Sequence, residues 1–135
     1  GKSGFSKSLI KAFNAAEASQ LLKNNVVGLN RTWLQTGGSS ANISKMKEKR
    51  LGIPSLVDTC HFWTEEIITI IKPQLVLLLG KEAQKLFYNQ QGDAHERGGF
   101  FIQHCRHPSN GGQTQFTKDL KDGLKEYEKR KSTFL

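Results

Sequence analysis

The sequence predicts an α/β fold with three layers, in which helices cover both faces of a small parallel sheet. Two observations support this prediction. Some apolar runs are too short for helices and read as strands, and longer stretches have apolar residues that recur every three or four positions, as in helices. The two kinds of segment alternate along the chain. Such alternation usually builds a parallel sheet covered by helices. The length of 135 residues fits one domain.

The first predicted elements are a helix and a short strand. The apolar residues that recur at helical spacing are Phe5, Leu9, Phe13 and Ala16. Asn24 and Asn25 then supply residues that commonly end a helix. Residues 26–29 are apolar, partly β-branched and bounded by asparagines, which predicts a buried strand that ends at Asn30.

A second helix is predicted from Ser55 to Ile71. Ser55 follows Pro54 and precedes Asp58, a pattern typical of a helix start, and Lys72-Pro73 closes the helix. The stripe of apolar residues expected to face the core is Leu56, Cys60, Trp63, Ile67 and Ile71.

The remainder of the chain continues the alternation. Leu75–Leu79 is a continuous apolar run, which predicts a central strand covered on both faces. Gly80 then turns the chain into a helix over residues 81–88, and a polar loop leads to a third strand over residues 100–104. The residues that predict a last amphipathic helix are Phe116, Leu120, Leu124 and Tyr127.

The charge and the cysteines limit the partners and the compartment. A net charge of +8 favours nucleic acid as a partner, although a basic protein kept soluble by its lysines explains it equally well. The residues expected to contact DNA are Lys45, Lys47, Lys49, Arg50 and Arg106. The longest apolar run has five residues, Leu75–Leu79, so no membrane span is expected. Cys60 and Cys105 are too few for a disulfide framework, which indicates an intracellular protein with free thiols.

Three segments follow directly from the predicted strands. They are Asn30 with its neighbours, Gly80-Lys81, and the tripeptide from His107 to Ser109. Ligands of parallel sheets bind beyond the carboxyl ends of the strands, so we expect these segments to form one site.

The order of features after Pro54 resembles the uracil-DNA glycosylase superfamily. A helix ending in Ile-Ile-Lys-Pro73 precedes the strand Gln-Leu-Val-Leu-Leu-Leu-Gly80-Lys-Glu-Ala83, and His107-Pro108-Ser109 follows a third strand. Gly1-Lys-Ser-Gly4 is similar to a Gly-Arg-Ser-Gly stretch that follows the first active-site motif of this family. The resemblance implies a DNA repair protein that hydrolyses the N-glycosidic bond of uracil or another damaged base.

The resemblance also assigns roles to individual residues. It implies that His107 donates a hydrogen bond to O2 of the leaving base, where negative charge develops. Ser109 can bind a nearby phosphate through its hydroxyl or its N–H. An asparagine amide can distinguish uracil from cytosine, and Asn30 is the candidate because it ends a strand, while Asn25 is the alternative. Phe5 and Trp33 are available as an aromatic platform for the base.

The chain departs from the family in several ways. The first motif, which supplies the residue that positions the attacking water, would lie before Gly1, so we expect an edge strand to be missing and this chain alone to be inactive. The exposed sheet edge could then be covered by a second copy or by an upstream segment. Two cysteines cannot hold an iron–sulfur cluster, and we expect no cofactor. The polar residues 110–115 replace the usual apolar wedge.

Other functions compete with this one. The most serious alternative is a catalytically inactive module of the same fold that binds nucleic acid or protein. Gly1-Lys2-Ser3 could instead end a phosphate-binding loop of an NTPase. A metal site could combine Cys60, His61, His104, Cys105 and His107. Neighbouring residues on a strand point to opposite faces, which argues against a metal bound by both His104 and Cys105.

Overall fold

The computed structural model describes residues 4–29, 55–94 and 99–130. The helices are α1 (Gly4–Ala15), α2 (Ser19–Asn25), α3 (Leu56–Ile71), α4 (Gly80–Ala83) and α5 (Gln113–Arg130), and the strands are β1 (Leu75–Leu79), β2 (Gly92–Ala94) and β3 (Phe100–Cys105). Within these residues, no helix has both the length and the apolar content needed to cross a bilayer.

The three strands form one sheet in the order β1-β3-β2. β1 and β3 are parallel, with Leu75 opposite Phe101 and Leu79 opposite Cys105, which confirms the predicted parallel pairing. β2 is antiparallel to β3 and was not predicted, because its sequence Gly-Asp-Ala carries no apolar signal. In the described part of the chain, the outer edge of β1 has no strand partner.

Helices pack on both faces of the sheet, as the sequence predicts. One face packs Val76 and Leu78 of β1 and Ile102 of β3 against Ile68 of α3. The other face packs Cys105 into a cluster with α1 and α5, whose fully buried side chains include Phe13, Phe116 and Leu120. The strand pair β1–β3 therefore lies between two apolar clusters, and the fold has three layers.

Helix α3 begins where the sequence predicts, but it buries a different face. The Ser55 hydroxyl accepts a hydrogen bond from the Asp58 N–H at 3.1 Å, which caps the first turn. The predicted stripe is wrong at Leu56, Trp63 and Ile71, which are exposed, whereas Cys60 is buried and Ile67 is half-buried. The buried residues of α3 are Val57, Cys60, Thr64, Glu65 and Ile68. Apolar residues cover more than one side of this helix, so periodicity alone does not select the packed side.

Residues 26–29 do not form the predicted strand. Val26 has an extended backbone, with φ −113° and ψ 131°, but the segment joins no strand within the described residues. Val26, Val27 and Leu29 are all exposed. A strand is stable only when its backbone groups bond to a neighbouring strand, and β-branched composition does not supply that neighbour.

Two predicted helices are interrupted by residues in the left-handed backbone region. The first helix divides into α1 and α2 at Glu17, whose φ is 56°. The helix predicted over residues 81–88 ends after Ala83, and a separate short turn, Leu86–Asn89, follows it. Phe87 and Tyr88 in this turn have φ values of 55° and 56°.

A buried carboxylate holds the left-handed turn. Glu65 of α3 is 5% exposed, and its Oε2 accepts a hydrogen bond from the Phe87 N–H. Its Oε1 lies 3.4 Å from Nε2 of His61. The Phe87 ring is buried and meets Phe100 edge to face, with the ring centroids 5.1 Å apart. A left-handed backbone costs a non-glycine residue about 1–2 kcal/mol, so these core contacts must stabilise the turn.

Replacing Glu65 tests this interaction. Glu65→Ala leaves the buried Phe87 N–H without its acceptor, and we expect the free energy of unfolding to fall by about 2 kcal/mol in urea titrations. Glu65→Gln keeps an oxygen acceptor and should cost clearly less. The exposed control Glu128→Ala should change the free energy by less than about 0.5 kcal/mol. Equal losses in Glu65→Ala and Glu128→Ala would contradict this account.

Candidate functional site

The parallel pairing brings two of the three predicted segments together. Leu79 and Cys105 are register partners at the carboxyl ends of β1 and β3, so Gly80 and the residues after Cys105 leave the same edge of the sheet. Gly80 has φ +83°, and a Cβ added there would lie 3.4 Å from Cβ of His107. The positive φ is the feature that favours glycine here, and the added Cβ would make an ordinary van der Waals contact with His107.

Two side chains hold the end of β3. Gln84 donates from Nε2 to the carbonyl oxygen of Cys105 at 3.0 Å. The Arg106 N–H donates to Oδ2 of Asp119 in α5 at 2.8 Å, and Oδ1 of Asp119 accepts from Nε2 of Gln115 at 2.8 Å. The backbone just before His107 is therefore fixed from both sides. Sequence reasoning did not find Gln84 or Asp119, because their partners are 21 and 13 residues away and no local pattern marks such contacts.

The turn after His107 is compact. Asn110 and Gly111 have positive φ values of 53° and 78°. A Cβ at Gly112 would lie 2.1 Å from the carbonyl oxygen of His107, a distance that no side chain allows. Nη2 of Arg106 donates to the Asn110 carbonyl oxygen at 3.4 Å. The turn thus returns the chain under His107 and into α5.

A backbone hydrogen bond determines which nitrogen of His107 carries the proton. The Ser109 N–H lies 3.1 Å from Nδ1 of His107, and an amide N–H can only donate. The hydroxyl oxygen of Ser109 also lies 2.8 Å from Nδ1. Nδ1 is therefore the acceptor, and the proton of the neutral ring is on Nε2. His107 consequently presents a neutral N–H donor.

The surroundings favour this neutral form. Partial burial lowers the pKa of His107 below its ordinary value of 6.5, and the positive charge of Arg106 lowers it further. Both effects penalise the imidazolium, and the N–H of Ser109 stabilises the neutral ring in addition.

An aromatic ring lies against the imidazole. The rings of Phe5 and His107 are stacked, with centroids 5.6 Å apart and planes inclined by 22°. Phe5 is 42% exposed, so part of its ring remains open to solvent. Of the two aromatic platforms considered from the sequence, Phe5 lies beside His107 and Trp33 lies outside the described residues.

An open groove of about 1490 Å³ runs along the outer edge of β1. Phe5, Gly80, His107 and Ser109 contribute to its wall, and so does Asn25 at the end of α2. Of the two candidate asparagines, Asn25 therefore lines the groove that contains His107, whereas Asn30 lies outside the described residues. The sequence favours Asn30 only through a strand over residues 26–29, and that strand is not formed.

The predicted DNA contacts are only partly described by the structure. Arg106 is exposed and immediately precedes His107, and Ser109 is exposed as well. The remaining candidates, Lys45, Lys47, Lys49 and Arg50, lie outside the described residues, as does the Gly1-Lys2-Ser3 tripeptide.

The cysteines are buried and free. Burial raises the pKa of Cys105 to about 12, with the carboxylates of Asp119 and Asp122 adding to the effect. Its thiolate is therefore not available as a nucleophile near neutral pH. In the parts of the chain that the structure describes, no three His, Cys, Asp or Glu side chains group as metal ligands.

Comparisons with protein-family models, curated proteins and solved structures find no match to this chain.

The protonation of His107 can be measured by NMR titration of its ring protons. We expect the midpoint to lie below 6.5, and Arg106→Gln should move it upward because one of the two causes is removed. Since the unfolded chain binds this proton more readily, the contribution of His107 to stability should fall as the pH drops through about 6.5. A midpoint above 6.5 would contradict the assigned neutral state.

Proposed function

We propose that this protein is a uracil-DNA glycosylase-like hydrolase of DNA repair, in which His107 stabilises the base as it leaves. The observation that carries the proposal is the Ser109 N–H bonded to Nδ1, which leaves Nε2 of His107 as a neutral donor. The donor stands at the carboxyl edge of a parallel sheet, where ligands of such sheets bind. The order of sequence features from Pro54 to Ser109 supports the same family.

The reaction explains why a neutral donor is useful. When the bond between uracil N1 and deoxyribose C1′ breaks, its electron pair stays with the base and the negative charge spreads to O2. Water supplies the hydroxyl that joins C1′ and the proton that finally neutralises the base. A fixed Nε2–H directed at O2 stabilises the developing charge without first taking up a proton from solution. The lowered pKa of His107 keeps this form dominant at neutral pH.

The groove offers partners for the rest of a nucleotide. An asparagine amide can accept from uracil N3–H and donate to O4, and Asn25 lines the groove that includes His107. The exposed part of the Phe5 ring can pack on the face of a base. Arg106 is exposed and could bind a flanking phosphate, together with Lys45, Lys47, Lys49 and Arg50 by the sequence argument. The N–H and the hydroxyl of Ser109 both face Nδ1 of His107, so in this proposal Ser109 orients the imidazole and does not bind a phosphate.

Uracil release by His107 variants is the direct test. The assay uses a uracil-containing oligonucleotide, with both the 135-residue chain and the full product of its gene. In whichever version is active, His107→Ala should lower turnover about a hundredfold or more, because one charge-stabilising donor is lost. The control Glu128→Gln, which alters an exposed residue near the end of α5, should retain most of the activity.

Two outcomes would overturn this assignment. Unchanged turnover in His107→Ala would remove His107 from the chemistry. DNA binding without release of uracil, by the 135-residue chain and by the full product of its gene, would instead favour the catalytically inactive module of the same fold.

DNA binding makes a separate prediction. If about four phosphates of duplex DNA are neutralised, the logarithm of the binding constant should fall against the logarithm of salt concentration with a slope near −3.6. Arg106→Gln should reduce this slope by about 0.9, since one phosphate contact is lost. Fluorescence anisotropy over a range of salt concentrations measures both values. A flat response would show that the net charge of +8 only keeps the protein soluble.

A further inference from the structure

Tyr88 is unusually exposed for an aromatic residue. Its side chain is 80% exposed, although the neighbouring Phe87 is 1% exposed. Tyrosine carries a large apolar ring and a polar hydroxyl, which makes it a frequent contact residue on binding surfaces.

The backbone of Tyr88 is fixed in an unfavourable conformation. Phe87 and Tyr88 are consecutive left-handed residues, and neither is a glycine, asparagine or aspartate, the residue types that tolerate this region best. The buried carboxylate of Glu65 holds the Phe87 N–H, and the Phe87 ring packs on Phe100. The core thus imposes the turn, and the turn holds Tyr88 in solvent. Strain of this kind occurs preferentially at functional sites.

The turn lies beside the carboxyl-terminal half of β3. Before the turn, Gln84 donates to the carbonyl oxygen of Cys105 at 3.0 Å. After it, the carbonyl oxygen of Gln90 accepts from Nε2 of His104 at 2.7 Å. His104 and Cys105 immediately precede Arg106 and His107 in the sequence. Tyr88 therefore lies between the two hydrogen bonds that attach the turn to the strand leading into the candidate site.

We propose that Tyr88 is a DNA-contacting residue whose ring stacks on an unpaired base of the bound strand. The proposal rests on the proposed function. The net charge of +8 and the exposed Arg106 favour an anionic partner over an apolar protein surface, and nucleic acid is the anion that also offers flat faces to an aromatic ring. Every base has a flat face, so one rigid ring can contact a strand without regard to its sequence.

Binding of single-stranded DNA tests the role of the ring. The probe is a fluorescein-labelled oligothymidine with one central uracil, measured by anisotropy. Tyr88→Ala should weaken binding about tenfold, as expected for the loss of one stacked base, and Tyr88→Phe should bind within about twofold of the wild type. The slope against salt concentration should not change, because stacking involves no phosphate. A matched duplex should lose clearly less affinity than the single strand.

A second variant separates binding from folding. Asparagine tolerates the left-handed backbone, so Tyr88→Asn should unfold in urea at a midpoint no lower than that of the wild type, while it loses DNA affinity as Tyr88→Ala does. Loss of affinity in a variant that is equally stable shows that the ring itself contacts DNA.

The outcomes for Tyr88 and for the proposed function can be told apart. If Arg106→Gln weakens binding and Tyr88→Ala does not, DNA binding stands and the role of Tyr88 is overturned. If the duplex and the single strand lose the same affinity, stacking on an unpaired base is overturned. If the wild-type protein shows no salt-dependent binding of DNA, the proposed function fails before Tyr88 is considered.

Discussion

The parallel pairing of β1 with β3 is the constraint on which the other features depend. Its register places Leu79 beside Cys105, so the two strands end at the same level. The faces of this pair contact α3 on one side and α1 with α5 on the other, and both apolar clusters therefore assemble around it. The same register brings Gly80 against His107. A shift of one residue would turn every side chain of β1 to the opposite face and would separate the two site segments.

The position and the tautomer of the His107 imidazole are determined by groups that have no chemical role in the proposed reaction. Gln84 and Asp119 fix the end of β3, Gly112 lets the following turn pass beneath the carbonyl oxygen of His107, and the Ser109 N–H selects the acceptor nitrogen. Together these contacts fix the position, the direction and the tautomer of the imidazole. A donor that is already oriented costs little reorganisation when charge develops near it, which is the physical basis of its proposed role.

The parts that sequence reasoning predicted are those determined locally. The apolar run Leu75–Leu79 and the Ser55 cap each depend on neighbouring residues, and both appear in the structure. Residues 26–29 have the composition of a strand but no described partner, and composition cannot report a partner. The packed side of α3 and the turn at Phe87 depend on contacts across the fold, such as Glu65 with Phe87 at a separation of 22 residues. The spacing of residue types along the sequence does not reveal contacts between residues so far apart.

The effect of Arg106 on the pKa of His107 would become smaller if Arg106 bound a phosphate. Its positive charge lowers the pKa of His107, but burial of the ring is the larger cause. A phosphate paired with Arg106 would cancel much of the charge effect and would raise the pKa. DNA lying over the site would at the same time remove water from the imidazole, which strengthens the desolvation that lowers the pKa. The two effects of DNA on the pKa therefore oppose each other. The Ser109 N–H occupies Nδ1 in either case, and this hydrogen bond favours the neutral ring with its proton on Nε2.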